Sequence, residues 1–137
     1  MAEETQQAWT NAFESRDSGA FADAFAEDVV LEATALRKPV SGRANVALVM
    51  GAASNIYESV TFTHEAANGA RSYVEWVSVM PGVGPLHGTT ILVRDEAGKI
   101  AKAIIQHRPL DGMLAFSARM GELLADSPID RDSFYQG

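Results

Sequence analysis

The side chains best suited to acid–base chemistry in this sequence are two of its three histidines and one glutamate. His64 lies in one predicted strand, Glu75 in the next, and His107 near the end of the last strand. An imidazole has an unperturbed pKa of about 6.5 and can therefore move protons near neutral pH. Burial raises the pKa of a carboxyl group and suits it to general acid or base catalysis. His107, His64 and Glu75 are thus the candidate catalytic residues.

Each candidate also has a purely structural interpretation. His107 can bond a backbone carbonyl at the rim of a sheet, and His64 belongs to an interface if its strand face points outward. Glu75 and Trp76 are adjacent in a strand and must point in opposite directions, so Glu75 is either buried or paired with a basic residue outside. The histidines have neither HxH nor HxxxH spacing, which argues against a metal site.

Composition restricts the class of protein. The chain has 137 residues, no cysteine and a formal net charge of −7. Disulfides and thiolate metal sites are excluded, and the negative charge argues against nucleic acid or an anionic membrane as the main partner. The longest apolar runs are far shorter than a membrane span, and the first residues lack the features of a signal peptide. We expect one cytoplasmic globular domain over residues 1–137, without a cofactor or a metal.

The spacing of apolar residues predicts the elements that position these candidates. Helical periodicity predicts four helices, over about 3–16, 20–26, 43–55 and 112–125. Alternation predicts five strands, over about 29–33, 59–66, 71–80, 86–94 and 99–109. Pro39 confines a further short strand near Val40 to a sheet edge. The order predicts an α+β fold with helices on one face of a curved antiparallel sheet, an extra C-terminal helix, and a polar tail from Asp126 that frays.

A four-residue turn at 95–98 predicts which side chains share a face of the last two strands. Pairing Arg94 with Lys99 places a mostly small set on one face: Leu86, Gly88, Thr90, Ala101, Ala103, Ile105 and His107. These residues face large aromatic groups of the helices, which lets the sheet curl tightly or leaves room for a ligand. The opposite face is also apolar, and its simplest cover is a second copy of the chain. That face carries Ile91, Val93, Ile100 and Ile104.

Several short motifs follow one another along the chain in a particular order. They are Trp9 with Asn11-Ala-Phe13, Asp17, Phe25-Ala-Glu-Asp-Val29, Ser41-Gly42-Arg43, Asp95-Glu-Ala-Gly-Lys-Ile100 and His107-Arg-Pro109. Together they resemble the nuclear transport factor 2-like superfamily, which includes ketosteroid isomerases and SnoaL-like polyketide cyclases. The resemblance covers nearly the whole chain up to Pro109. It implies a cone-like curved sheet wrapped around the N-terminal helices, a pocket inside the cone, and a homodimer through the outer sheet face.

The catalytic groups of those relatives are not present at the matching positions. Ketosteroid isomerases carry a tyrosine, an aspartate base and a second acid at three positions. By the resemblance, the residues of this sequence at those positions are Trp9, Ala33 and Thr90, in that order. Glu32 would replace the base only through a one-residue shift, which turns a side chain to the other face. SnoaL-like cyclases carry an aspartate where this sequence has Ile105. The groups of both mechanisms are therefore missing.

Two functions remain open. The first is a cofactor-independent isomerase, cyclase, dehydratase or hydrolase that acts on a small hydrophobic molecule by acid–base chemistry. The second is a non-catalytic ligand-binding or dimerisation module of the same fold. Both use the same predicted pocket, whose walls are Trp9, Phe13, Tyr57, Phe62, Trp76, Ser78, Thr90 and Ile105.

Overall fold

The computed structural model describes residues 2–16 and 18–135, so Asp17 of the motifs above lies outside the described residues. The helices are α1 (Ala2–Ser15), α2 (Ser18–Ala24), α3 (Arg43–Ile56) and α4 (Leu110–Leu123), and a short 3₁₀ turn covers Arg131–Ser133. The strands are β1 (Phe25–Ala33), β2 (Val40–Ser41), β3 (Ser59–Asn68), β4 (Arg71–Met80), β5 (Gly84–Arg94) and β6 (Ile100–Arg108). The predicted α+β class with a C-terminal helix is confirmed. No helix in the described ranges is long and apolar enough to cross a membrane.

The strands form one curved, unclosed sheet in the order β2-β1-β6-β5-β4-β3. Strands β3 to β6 make the predicted antiparallel meander. The sheet is nevertheless mixed, because β1 runs parallel to β6 and pairs Ala33 with Ile105. A parallel pair needs a long crossover, and here the crossover contains α3 and the strands between. The short β2 is an edge strand beside β1, the place that the sequence predicts for Val40.

A bulge corrects the predicted register of β5 and β6. Arg94 pairs with Ile100 and Val93 with Lys102, which leaves Ala101 as an extra residue on β6. The bulge turns Ile100 toward the helices, where it is fully buried, so its predicted place on the outer face is wrong. Pairs farther along are shifted by two residues from the prediction, and a shift of two preserves the faces. The outer face therefore keeps three half-buried side chains of the predicted set, Ile91, Val93 and Ile104.

An aromatic cluster holds the N-terminal helices against the inner face of the sheet. Trp9, Phe21 and Phe25 are fully buried, and Phe13 is half-buried beside them. The Trp9 ring meets Phe13 and Phe21 edge-to-face, with centroids 5.4 and 5.5 Å apart. Such pairs contribute about 0.5–1.5 kcal/mol beyond the area they bury. The cluster fills the inner face at the N-terminal helices and leaves little space there.

The C-terminal segment packs into the core, so the predicted fraying of the tail is wrong. Phe134 is 2% exposed and forms an isolated antiparallel bridge with Leu36. The Arg37 backbone N–H donates to the Ser133 carbonyl at 2.8 Å, which continues the contact between tail and loop. The buried side chains of Phe134 and Ile129 give the otherwise polar tail its apolar anchor.

Candidate functional site

A small cavity lies between the inner face of the sheet, α3 and α4. Its volume is about 30 Å³. A cavity needs roughly 10–15 Å³ to hold one water, so a larger ligand must displace side chains. The described residues that line it include no Asp, Glu, Lys or Arg. They are Phe13, Leu31, Ala33, Ala35, Leu36, Val49, Met50, Ala53, Tyr57, Trp76, Ile105, His107, Phe116, Met120 and Phe134.

A chain of three polar side chains runs along the wall of this cavity. Thr34 Oγ1 lies 3.0 Å from His107 Nδ1, and His107 Nε2 lies 3.3 Å from the Tyr57 hydroxyl oxygen. Thr34 Oγ1 also accepts the His107 backbone N–H at 2.9 Å. The Thr34 backbone N–H in turn donates to the Ile105 carbonyl at 3.0 Å. Thr34 is exposed and Tyr57 is buried, so the chain connects the rim of the sheet with the interior.

Two directions of hydrogen bonding fit this chain. In the first, the Thr34 hydroxyl donates to Nδ1, and Nε2–H donates to the Tyr57 oxygen. The Tyr57 hydroxyl proton is then available to an acceptor in the cavity. In the second, Nδ1–H donates to Thr34 and the Tyr57 hydroxyl donates to Nε2. The two directions correspond to the two neutral tautomers of His107.

Aromatic rings enclose the two polar groups at the cavity. The Phe116 ring stacks on Tyr57 with centroids 5.1 Å apart, and Trp76 meets the His107 ring edge-to-face at 5.5 Å. Burial lowers the pKa of His107 from 6.5 to about 4, so the imidazole is neutral at pH 7. Burial also raises the pKa of Tyr57 above its ordinary value, so the phenol keeps its proton. Both groups therefore act as neutral hydrogen-bonding partners.

The corner between α3 and β3 sets the position of Tyr57. Tyr57 ends α3 with extended backbone angles, φ −72° and ψ 136°, and is 3% exposed. The next residue is held from both sides, because the Glu58 N–H donates to the Val79 carbonyl at 2.8 Å and its own carbonyl accepts from Arg16 Nη2 at 3.2 Å. The phenol is thus directed inward from a fixed backbone position.

The structure brings five of the residues chosen from the sequence to the cavity. They are Phe13, Tyr57, Trp76, Ile105 and His107.

Four other predicted pocket residues lie elsewhere. Trp9 belongs to the aromatic cluster, and Phe62 lines a separate cleft beside Phe13. Ser78 and Thr90 are buried in the sheet, where the Ser78 hydroxyl donates to the Leu86 carbonyl at 3.0 Å. Thr90 Oγ1 accepts the indole N–H of Trp76 at 2.9 Å. Both hydroxyls therefore form hydrogen bonds within the protein, as buried polar groups generally do.

The structure does not bring His64 or Glu75 to the cavity. A bulge in β3 follows Phe62, which pairs with Trp76, and the next pair is His64 with Glu75. Both members of that pair are exposed, and Glu75 occupies the outer side of β4. Alternation along β4 turns Val74, Trp76 and Ser78 inward, so the carboxylate of Glu75 must point away from the site.

The position expected for a carboxylate base carries none. Ala33 lines the cavity, as the resemblance implies for the residue at that place. Its neighbour Glu32 points outward and pairs with Lys102 at 3.3 Å, so it does not replace the base. No cluster of three side chains able to hold a metal occurs within residues 2–16 and 18–135.

Two residues that contact His107 were missed at the level of sequence. Thr34 follows β1 and meets His107 only because β1 and β6 pair in parallel, a contact without a local sequence signal. Phe116 comes from α4, whose apolar stripe predicts packing but not its target.

The comparisons with known proteins agree on the fold. A family model described as the SnoaL-like domain matches residues 6–103. No curated protein matches the sequence at a significant level.

Solved structures show the same architecture at low sequence identity. A steroid delta-isomerase from Pseudomonas aeruginosa has a TM-score of 0.83 at 23% identity, covering 91% of this chain and 92% of its own. An uncharacterized protein with a cystatin-like fold from Silicibacter pomeroyi DSS-3 has a TM-score of 0.84 at 20% identity, covering 90% and 86%. An NTF2-like protein of unknown function from Mesorhizobium loti has a TM-score of 0.71 at 18% identity, covering 79% and 91%. Identities this low establish the fold, whereas a function must be argued from the site.

Proposed function

The chain belongs to the SnoaL-like domain family of the nuclear transport factor 2-like superfamily, and we propose that it is a cofactor-independent enzyme that transfers protons on a small hydrophobic molecule. The observation that carries the proposal is the hydrogen-bonded chain from Thr34 through His107 to Tyr57. It reaches an otherwise apolar cavity, where a donor to oxygen acts with little competition from water. The reaction class is isomerisation or dehydration, and the substrate offers a carbonyl or hydroxyl oxygen.

Tyr57 is the group that touches the substrate in this proposal. With Nε2–H donating to its oxygen, the Tyr57 hydroxyl proton is directed to an oxygen atom in the cavity. A water molecule in the cavity takes the proton from the carbon next to the carbonyl, so negative charge develops on the carbonyl oxygen. Tyr57 delivers its proton to that oxygen and receives another from Nε2. His107 then takes the Thr34 proton on Nδ1 and changes tautomer, and Thr34 regains a proton from solvent at the rim.

The transfer through His107 needs no charged imidazole. This matters because burial lowers the His107 pKa to about 4 and disfavours the imidazolium form. A tautomer change moves a proton from one ring nitrogen to the other while the ring stays neutral. The same pKa makes His107 a weak base, so its role here is to relay a proton to Tyr57 and back.

The second candidate function is ligand binding without chemistry. It is favoured by the composition of the wall, since the described lining residues offer no carboxylate to remove a proton from carbon. In that case Tyr57 and His107 orient the oxygen of an apolar ligand and transfer nothing.

Exchange of hydrogens next to a ketone separates the two functions. The purified protein is incubated with cyclohexanone and cyclohexenone in heavy water, and loss of the α-hydrogen signals is followed by proton NMR. An enzyme accelerates the exchange, and Tyr57→Phe slows it. Binding detected by saturation transfer, with exchange at the uncatalysed rate, supports the second function instead.

We further propose that two copies of the chain pair through the outer sheet face. Three strands present half-buried apolar side chains there, including Tyr73, Val77, Ile91, Val93 and Ile104. Glu75 lies on the same side between Tyr73 and Val77, and Lys102, which pairs with Glu32, lies beside Val93, so charged groups are interspersed with the apolar side chains.

A further inference from the structure

A second, larger cleft lies on the other side of Phe13 from the cavity. It opens between the end of α1 and the start of β3 and has a volume of about 280 Å³. Its lining residues are Phe13, Glu14, Arg16, Ser54, Ser59, Val60 and Phe62. Phe13 is the side chain that the cleft shares with the inner cavity. One aromatic ring therefore separates a space of about 30 Å³ from one of about 280 Å³.

The volumes of the two spaces indicate that a ligand would need both of them. The inner cavity holds the polar groups but little more than water, whereas ligand sites usually begin at roughly 300 Å³. The cleft is close to that size but lies away from Tyr57 and His107. A ligand that uses both spaces has room for its body in the cleft and places one end beside the hydrogen-bonded chain.

The partition between the two spaces is a partly exposed aromatic ring. Phe13 and Phe62 are both half-buried, and their rings meet edge-to-face with centroids 6.0 Å apart. Phe13 stands in the last turn of α1, which ends at Ser15. Phe13 also meets Trp9 and Phe21 edge-to-face, with centroids 5.4 and 5.1 Å apart, so a ligand that moves the ring must replace these contacts with apolar contacts of its own.

The outer wall of the cleft is polar and firmly held. Arg16 has a left-handed backbone with φ 55°, its N–H donates to the Ala12 carbonyl at 3.0 Å, and its carbonyl accepts from Asn55 Nδ2 at 3.2 Å. Its guanidinium donates to the Glu58 carbonyl, which leaves further N–H donors toward the cleft. Glu14 carries the opposite charge on the same wall. An uncharged hydrogen-bonding group suits this wall better than an ion, because an ion would meet both charges.

We propose that the cleft and the inner cavity form one binding site divided by Phe13, which takes an elongated molecule with a carbonyl oxygen at one end, an apolar chain, and an uncharged polar far end. The carbonyl end meets Tyr57, the chain lies along Phe13, Val60 and Phe62, and the far end meets the wall around Arg16. Phe13 determines the length of ligand that the site accepts. The position of the carbonyl end rests on the proposed function, whereas the role of Phe13 in selecting length rests on the two cavities alone.

Methyl ketones of increasing length test the role of Phe13. Dissociation constants of methyl ethyl, methyl butyl and methyl hexyl ketone are measured by NMR titration for the wild type and for Phe13→Leu, which opens the partition. The longest ketone is expected to bind about tenfold more tightly to Phe13→Leu, and the shortest to change little. Phe13→Trp is expected to weaken the longest ketone. Phe13→Met keeps the apolar volume with a flexible chain and should shift affinity in the same direction as Phe13→Leu.

Phe62→Leu is the matched control. It truncates a half-buried ring on the cleft side only, so it removes contacts from a long ligand without opening the partition. The expected sign is therefore opposite, a weaker binding of methyl hexyl ketone. Equal changes for all three ketones in Phe13→Leu, or no change for the longest, would overturn the inference. Circular dichroism and thermal unfolding establish that each variant is folded.

The terminal hydroxyl derivative of methyl hexyl ketone tests the far end. It is expected to bind more tightly than the parent ketone, and Arg16→Gln to reduce that advantage. An equal or weaker affinity would remove the polar far end from the proposed ligand.

Tyr57→Phe separates failure of this inference from failure of the proposed function. If Phe13 variants still alter which ketone length binds best, but Tyr57→Phe leaves the exchange rate unaffected, the proposed function is contradicted and the divided site is supported. If Tyr57→Phe abolishes the exchange but the Phe13 variants do not alter which ketone length binds best, the divided site is contradicted and the proposed function is supported.

Discussion

His107 Nε2 lies 3.3 Å from the Tyr57 hydroxyl oxygen, although the two residues are 50 positions apart in the chain. Phe116 covers both rings, with centroid separations of 5.1 Å to each. The pair is thus shielded from water on the side of α4, where a hydrogen bond is stronger than at the surface.

Removal of the Tyr57 hydroxyl should abolish most of the proton transfer. Tyr57→Phe keeps the ring and its stacking on Phe116, so the exchange rate is expected to fall roughly a hundredfold, as for other single donors to a developing oxyanion. Tyr73→Phe makes the same change on the outer sheet face and should leave the rate unaltered. Equal rates in the wild type and Tyr57→Phe would remove Tyr57 from the chemistry.

The tautomer of His107 should depend on Thr34. If the Thr34 hydroxyl donates to Nδ1, nitrogen NMR of the imidazole shows the proton on Nε2 at pH 7. Thr34→Val removes the donor and should shift the proton toward Nδ1, whereas Thr34→Ser should retain the wild-type signals. A wild-type spectrum with the proton on Nδ1 would show the reverse direction of the chain.

Acid should destabilise the protein through His107. Its pKa is about 4 in the folded state and 6.5 in the reference state, so the unfolded chain binds more protons between these values. The free energy of unfolding therefore keeps its full value above pH 6.5 and falls as the pH drops toward 4, by at most about 3 kcal/mol. His107→Gln should lose less stability than the wild type between pH 7 and 4.5 in urea unfolding. An identical pH dependence in both proteins would contradict the lowered pKa.

A charge in the centre of the outer face should prevent dimerisation. Ile91→Lys places an ammonium group in the apolar centre of the proposed interface, and its partner surface carries the same change by symmetry. Light scattering at micromolar concentration is expected to give a dimer for the wild type and a monomer for Ile91→Lys. The variant His64→Lys, which changes an exposed side chain on the edge strand β3, should remain a dimer. A monomeric wild type would refute the proposed pairing.

The C-terminal tail should contribute substantially to stability. Phe134→Ala removes a ring that is 2% exposed and is expected to cost about 3–5 kcal/mol in urea unfolding. Lys38→Ala removes an exposed ion pair with Asp130 of the same tail and should cost much less, because water screens the attraction between the two charges. Similar small losses for both would mean that the tail contributes little to the folded state.

The sequence predicted the meander well because its signals are local. Alternation in β4 predicted that Glu75 and Trp76 point in opposite directions, and the resemblance chose Trp76 and Ser78 as the inward side chains. A shift of two in the β5–β6 register still left Thr90 and Ile105 on the inner face. Bulges defeated the same rule, because one extra residue reverses every side chain until the next one. Ile100 was misplaced for that reason. The face of His64, which the sequence left open, is determined by the bulge that follows Phe62.

The site itself was less predictable, since it is built from distant parts of the chain. Tyr57 and His107 could be chosen by residue type, but their contact depends on the angle between α3 and β6. Thr34 carried no signal, because a threonine at a strand end is equally common in a loop. Phe134 sits in a tail whose composition is polar, so its burial and its bridge to Leu36 become visible only in the structure.

The parallel pairing of β1 with β6 has a consequence for folding kinetics. Thr34 and His107 are 73 positions apart, so their contact closes a loop that contains α3 and most of the sheet. Loop closure of this length is entropically costly, and a high share of such distant contacts slows folding. The neighbouring strands of the meander need only short turns to meet, so the contact that completes the hydrogen-bonded chain is among the entropically most expensive in the fold.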